Sequence, residues 1–413
     1  MGSEKDDPHS RQRRAVLRQA GALGAAWSLG GLAADALAAP PRTVNLGFDN
    51  GERELVAYPQ KRPLILLTSR PPQLETPFGV FNENIITPND AFFVRYHWSG
   101  VPTSIDPGTY RLHVGGNVNT PLELSLAELR QMGGMELTAV NQCSGNSRGF
   151  FQPRVNGGQL GNGAMGNARW TGVPLKTVLE RAGLKAGSVQ VSFNGMDMPP
   201  VAGGPDFVKA LDVDHAMDGE VMLAYLMNGA DLPVLNGYPV RLIVPGYYGT
   251  YWVKHVNDIQ VLDKIFDGFW MASAYRIPDN ACACVPPGTS VAKSRPIGRF
   301  DVRSFITSVA NGAKVKAGQD LVLKGIAFDG GSGIAEVAVS VDGGNTWRTA
   351  RLGEDLGKYS FRAWSASVRL PKGAHDLKVR AVSRIGQSQP MAPLWNPPGY
   401  MRNVVETTRV TAV

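Results

Sequence analysis

Asn141-Gln142-Cys143-Ser144-Gly145-Asn146-Ser147-Arg148 sets a cysteine among small and polar residues, directly after the apolar run Leu137-Thr138-Ala139-Val140. Such a sequence reads as a strand that ends in a turn, which leaves the thiol accessible. Arg148 favours the thiolate electrostatically, and a soft thiolate is the ligand type that suits a redox-active transition metal. A thiol nucleophile working with a nearby histidine fits the same residues. So does a buried structural cysteine, because a lone Cys is weak evidence of chemistry. On these eight residues the three readings stay open.

Outward from this stretch, the chain of 413 residues is long enough for two or three domains with their own cores. Its 48 Gly and 29 Pro are spread along the whole length and imply many turns joining short strands. No internal repeat is apparent. The net charge of +7 is a mild bias that suits a small anion or an acidic protein partner. It is not concentrated as a nucleic-acid stripe would be, and no phosphate-cradling P-loop is present.

Residues 1–38 read as an export segment. A polar start precedes Arg11-Gln12-Arg13-Arg14, then a weakly apolar Ala/Gly/Leu run and Ala36-Leu37-Ala38, an A-x-A-like cleavage site. The Arg13-Arg14 pair followed by Ala15-Val16-Leu17-Arg18 resembles a twin-arginine signal, which carries already folded proteins to the periplasm. Cleavage lowers the net charge only to +6. No later stretch is long and apolar enough to span a bilayer. Three cysteines then enter an oxidising compartment, Cys143, Cys282 and Cys284, so at least one is unpaired within a monomer. Cys282 and Cys284 are one residue apart, where a bridge is expected to be strained. They read as structural or incidental, with their redox state open.

Residues 39–90, rich in Pro, Asn and Thr, read as an extended wrapping segment with scattered short strands. Strands are expected at Tyr110–Val114, Leu122–Leu126, Val189–Phe193 and Val240–Val244, and short helices at Ser125–Met132 and Pro174–Ala182. This makes 91–290 a mixed α+β domain. Beyond Pro286-Pro287-Gly288, alternating segments at Asp320–Lys324, Ile334–Val341, Trp347–Leu352 and Ala374–Val382, with turn chemistry at Val341-Asp342-Gly343-Gly344-Asn345, make 291–413 an immunoglobulin-like β-sandwich.

The motifs together resemble the sulfite oxidase family. Ala139 to Arg148 is similar to the family's molybdenum-binding signature, close to Q-C-x-G-N-x-R. Phe92-Phe93-Val94-Arg95-Tyr96-His97, followed by Asp106 to Val114, resembles its upstream F-F-x-R-x-H motif and strand. Gly237 to Gly246 and Gly249 to Lys254 resemble its pterin-binding segment. The likeness runs from about Thr87 to Arg402 and includes Val339 to Trp347 and Ala392 to Asn396. The ending Tyr275-Arg276-Ile277-Pro278-Asp279-Asn280 is similar to the bacterial sulfite dehydrogenases, which have no fused cytochrome b5 domain. A haem-attachment C-x-x-C-H is likewise missing here.

The resemblance implies a molybdopterin domain followed by a dimerisation domain, and hence a homodimer. It implies that Cys143 ligates molybdenum carried by one molybdopterin, with no haem in this chain. Phe93, Val94, Arg95, Tyr96, His97, Asp197, Asn236, Arg241, Trp252, Val253 and Lys254 fall where that cofactor is held. Arg241 and Lys254 suit a phosphate-bearing pterin, which needs charge-assisted donors. Arg95 and Tyr275 match the pair that draws in and orients sulfite, with His97 and Arg148 as further catalytic candidates. Tyr275 is preferred to Tyr247, Tyr248 and Tyr251 by its spacing after Cys143. Two departures stand out: Asn236 occupies the place of a histidine in vertebrate-type members, and Pro397-Pro398 the place of a substrate-pocket arginine. His97 is expected to fill part of the latter role, although a neutral imidazole cannot replace a fixed charge.

The implied reaction is oxidation of sulfite to sulfate, with electrons leaving one at a time to a separate c-type cytochrome. Alternatives are an oxygen-transfer reductase acting on nitrate or a sulfoxide, and a non-catalytic scaffold that kept the fold.

Overall fold

The strand that carries Cys143 to its place is Met135–Gln142, paired antiparallel with Met165–Pro174 from Met135 opposite Gly172 to Gln142 opposite Met165. Cys143 is the first residue past the pairing, and its N–H donates to Ala164 O at 2.9 Å. Strands Met222–Met227, Ala230–Asp231 and Arg241–Ile243 complete this sheet. Its inner side chains Ala139, Ala168, Trp170 and Leu223 are fully buried. Each large apolar side chain so buried is worth about 1.5–3 kcal/mol.

A second five-stranded sheet runs in the order Lys209–Asp212, Gln190–Gly195, Val256–Leu262, Leu112–Gly116, Leu122–Leu124. One pairing in it, Val256–Leu262 with Leu112–Gly116, is parallel. The expected helices are present at Leu126–Gln131 and Leu175–Ala182. Ser125 starts the first with a capping box: its hydroxyl accepts the Glu128 N–H, and the Glu128 carboxylate accepts the Ser125 N–H at 2.8 Å. The second buries Leu175, Val178, Leu179 and Ala182 in the core shared with both sheets.

In the computed structural model the described residues are 43–413; the expected export segment lies outside them. No helix among the described residues is long and apolar enough to cross a membrane. The N-terminal stretch is more ordered than an extended wrapping segment. Thr43–Asn45, Glu52–Val56, Leu64–Ser69, Pro72–Glu75 and Val94–Arg95 form one antiparallel sheet with its own small core of Leu64, Leu74, Val94 and Tyr96. Its strands are short and their pairing partners lie beyond turns, so local alternation was too brief to announce it.

The C-terminal region is a β-sandwich. One sheet is ordered Arg303–Ile306, Asp320–Phe328, Arg362–Arg369, Arg351–Leu352, and the other Ala313–Val315, Thr407–Ala412, Gly373–Ser383, Ile334–Ser340, Arg348–Thr349. The segment expected as one strand at Trp347–Leu352 is two, because the chain changes sheets at the buried Ala350. No physical seam follows residue 290. Phe300, Phe305, Phe328 and Phe361 pack in the same core as the first domain, and Val140 N–H donates to Tyr359 O at 2.9 Å. Cys282 and Cys284 are joined by a disulfide. Ala283 between them takes φ +48°, and their Cα atoms stand 5.1 Å apart, within the ordinary range for a bridge. The redox state that the spacing left open is thus the oxidised one.

Candidate functional site

Edge strand Val94–Arg95 explains one wall of the site. Alternation along an extended chain sends Phe93, Arg95 and His97 into one pocket, while Val94 and Tyr96 turn into the small core behind it. Cys143 and Ser144 enter from the loop after Met135–Gln142, and Asp197 from the loop after Gln190–Gly195. Asn236 and Arg241 come from the turn Val234–Asn236 and the strand that follows, and Trp252, Val253 and Lys254 from beyond Gly249–Tyr251. Tyr275 completes the wall just before Arg276–Pro278. The sequence candidates therefore converge, with three exceptions.

The exceptions are Val94, Tyr96 and Arg148, whose side chains do not line the pocket. Tyr96 instead supports it. Its hydroxyl lies 2.6 Å from His255 Nε2, and His255 Nδ1 lies 2.6 Å from Tyr238 O. A carbonyl only accepts, so Nδ1 carries the proton and Tyr96 donates to Nε2. The ammonium of Lys254 rests 3.9 Å from the Tyr96 ring centroid and donates to Arg95 O at 2.5 Å. Arg148 lies behind the pocket: it donates to Pro398 O at 3.1 Å and Gly158 O at 3.2 Å and lies over the Tyr400 ring. Two carbonyls and a ring engage the guanidinium there, and its charge still acts on the Tyr275 phenol.

Arg95, Arg241 and Lys254 meet here with a single carboxylate, Asp197. Burial, and then the Arg241 charge, brings the Lys254 amine down to about 7. Burial brings Arg241 down to about 10 and raises the Asp197 carboxyl. Burial also holds His97 well below the usual histidine range, with Arg95 next in effect, and keeps the Tyr275 phenol protonated. His97 Nε2 and the Tyr275 hydroxyl are hydrogen-bonded, and the imidazole stacks on Phe207 at 3.7 Å.

The donor set has vacancies of a definite kind. The Asn141 amide, Ser144 Oγ, Arg241 Nε and Thr250 Oγ1 are buried, face the pocket region and lack a protein partner. Each such atom costs about 1–3 kcal/mol unless something polar meets it. Cationic and polar groups around an otherwise closed cavity fit a phosphate-bearing, hydrogen-bonding cofactor. Among the described residues no group of three His, Cys, Asp or Glu side chains could hold a metal ion. A metal held by Cys143 must therefore bring most of its ligands with it, as one bound to a dithiolene does.

Several residues of the site were missed in the sequence. Lys209 is fully buried behind Tyr275, donates to Trp270 O at 2.6 Å, and is brought down to about 7 by burial. Lys61 is buried against Asn236: its ammonium bonds that side-chain oxygen and Asn89 O. The Asn236 amide donates to Phe93 O at 3.1 Å. Phe207, Asn141 and Thr250 also line the pocket. Asn141 was within reach, since it stands inside the quoted motif. Lys61, Lys209 and Phe207 carry no local pattern.

A family model described as an oxidoreductase molybdopterin binding domain matches residues 98–270, and one described as a Mo-co oxidoreductase dimerisation domain matches 294–412. Arg95, His97 and Tyr275 lie just outside the first match. Mitochondrial sulfite oxidase of Rattus norvegicus is 34% identical over 86% of this chain and 67% of its own length. Sulfite oxidase of Gallus gallus is 34% identical over 84% and 77%. Nitrate reductase [NADH] 1 of Oryza sativa subsp. japonica is 30% identical over 84% of this chain and 41% of its own. The chain spans about two thirds of the rat and human sulfite oxidases, 67% and 65%. Among solved structures, the sulfane dehydrogenase SoxCD from Paracoccus pantotrophus superposes with a TM-score of 0.72 at 27% identity, covering 92% of both chains.

Proposed function

The chain belongs to the sulfite oxidase family of molybdenum oxidoreductases, and from that premise we propose that it oxidises sulfite to sulfate. The observation that carries the proposal is the convergence of Cys143, Arg95, His97 and Tyr275 on one pocket with three cations against one carboxylate.

When bound, a molybdenum held by one molybdopterin supplies oxygen-atom transfer and two-electron redox chemistry. Cys143 would provide the protein's thiolate ligand. Arg241, Lys254 and the unpaired polar atoms of Asn141, Ser144 and Thr250 would hold the phosphate and pterin edges. Arg95 offers an anionic substrate charge-assisted hydrogen bonds. Tyr275, kept protonated by burial, offers its one proton to substrate when neutral His97 donates its Nε2–H to the phenol oxygen, a bond that holds the hydroxyl in place. A neutral His97 leaves Arg95 as the substrate-facing cation. The burial of these side chains strengthens each of these contacts relative to water.

The electrons leave one at a time to a separate c-type cytochrome in the periplasm. Support for that location is the twin-arginine pattern at Arg13-Arg14. The mature protein works as a homodimer through the sandwich, a reading supported by the dimerisation-domain match. A reductive reading is favoured by the rice nitrate reductase relative. Purified molybdenum-loaded protein is expected to reduce cytochrome c only when sulfite is added, and not to consume nitrate with reduced viologen. Loaded protein that ignores sulfite and reduces nitrate would reverse the assignment.

A further inference from the structure

Tyr275 stands with φ +56°, a left-handed conformation uncommon for a large side chain. Something outside its own segment must hold it. Its ring lies parallel to that of Tyr400, 7° from coplanar with centroids 5.4 Å apart. The Arg148 guanidinium carbon is 5.0 Å from the Tyr400 centroid. On its other side Tyr275 is hydrogen-bonded to His97, which stacks on Phe207. A series of contacts thus runs from Arg148 over the face of Tyr400 to the parallel ring of Tyr275, whose hydroxyl is hydrogen-bonded to the edge-on His97.

Tyr400 comes from the sandwich, 125 residues further along the chain, and its loop is tied to the catalytic region at several points. Met401 N–H donates to Ser144 O, beside Cys143, at 3.2 Å. Arg148 Nε donates to Pro398 O, and Trp395 Nε1 donates to Pro153 O at 2.9 Å. Within the loop, Tyr400 N–H donates to Asn396 Oδ1, and Asn396 Nδ2 to Tyr400 O, both at 2.9 Å. Gly399 has φ +62°, and a Cβ there would lie 2.4 Å from Val155 Cγ2, so the loop sits as close to the catalytic domain as a backbone can. The Pro398 carbonyl accepts from Arg148 on the side where the guanidinium lies over Tyr400.

We propose that Tyr400 is a positioning residue for Tyr275: the sandwich domain supplies one face of the stack that fixes the catalytic phenol and places Arg148 behind it. The assignment rests on sulfite oxidation as the reaction for its kinetic test, and on the geometry alone for its spectroscopic one. Aromatic stacking is offset and directional, so a ring of the same shape keeps the arrangement while an aliphatic side chain of similar bulk does not.

The test uses the molybdenum-loaded full-length enzyme. Tyr400→Leu is expected to lower kcat/KM for sulfite about 10- to 100-fold at unchanged molybdenum content, with the same division between kcat and KM as Tyr275→Phe; Tyr400→Phe is expected to stay within about threefold of the parent. The double variant Tyr400→Leu/Tyr275→Phe should be no slower than Tyr275→Phe alone, because the two residues act as one unit. Multiplied losses would overturn the proposal. If Tyr400→Leu fails to retain molybdenum, Tyr400→Met replaces it. Independently of substrate, 19F NMR of 3-fluorotyrosine-labelled enzyme should show the Tyr275 resonance, assigned by its loss in Tyr275→Phe, shift or broaden in the aliphatic variant and remain in place in any other loop variant that keeps Tyr400. An unmoved Tyr275 resonance would overturn the proposal even if sulfite proved to be the wrong substrate.

Discussion

Cys143 is nearly buried, free, held by its backbone N–H on Ala164 O, and lines the pocket. Replacing it by serine exchanges a soft ligand for a hard one at unchanged volume. Cys143→Ser is therefore expected to fold, to lose the thiolate-to-metal absorption, and to retain less than about 1% of activity, more than the 10–100-fold typical of a supporting residue. Arg95 acts differently. On the proposed function it would meet substrate rather than metal, and a hydrogen bond to a charged group is worth about 1.5–3 kcal/mol. Arg95→Ala should raise the KM for sulfite about 10- to 100-fold while molybdenum content stays constant; steady-state kinetics on loaded protein check this, and an unchanged KM would remove Arg95 from the pocket. Both residues were legible because their neighbours in sequence are also their neighbours in chemistry. Arg148 was legible as a cation but not in its destination, which is set by Pro398 and Tyr400, some 250 residues away.

At the scale of the element, the loop from Cys143 to Ala164 has little regular structure and is held by buried polar contacts. Glu75, on a strand of the N-terminal sheet, accepts the Gly161 N–H at 2.9 Å and the Gly163 N–H at 3.2 Å. Gly161 O in turn accepts the Ser147 N–H, so the N-terminal sheet reaches the cysteine loop through two residues. Burial pushes the Glu75 carboxyl up to about 7 against those two donors. Between its ordinary value near 4.5 and about 7, the folded protein keeps a proton that the unfolded chain has released. The contribution of Glu75 to stability therefore falls as pH rises through that window and is level above it. Thermal melts of the wild-type protein from pH 5 to 8 should show this decline, and Glu75→Gln, which cannot ionise, should flatten that part of the slope. An equal slope in both would assign the decline elsewhere. The strand carrying Glu75 was not foreseen, because four residues of alternation between turns are too few to distinguish from a coil.

Over the whole molecule, the sandwich is fused to the catalytic region by hydrogen bonds as well as by apolar packing. Arg303, fully buried on a sandwich strand, donates to Ser147 Oγ at 2.6 Å and to Glu406 at 3.3 Å. Removing one member of such a buried group typically costs about 3–5 kcal/mol. Arg303→Ala should lower the unfolding midpoint accordingly and, because Ser147 belongs to the cysteine loop, reduce molybdenum retention; calorimetry and metal analysis read the two effects separately. The proposed export is tested on the full chain: Arg13→Lys/Arg14→Lys should leave loaded enzyme in the cytoplasmic fraction, and undiminished periplasmic activity would refute the twin-arginine assignment. The sequence by itself determined the family, the alternation that aims Phe93, Arg95 and His97 the same way, and the succession of α+β domain and sandwich, since each depends on residues within one turn or strand of one another. Only the tertiary structure decided that Arg148 stands behind the pocket, that Lys61 and Lys209 are buried beside it, and that Tyr400 stacks on Tyr275. Those contacts join segments separated by tens to hundreds of residues, where packing of side chains against one another, not periodicity, selects the partner.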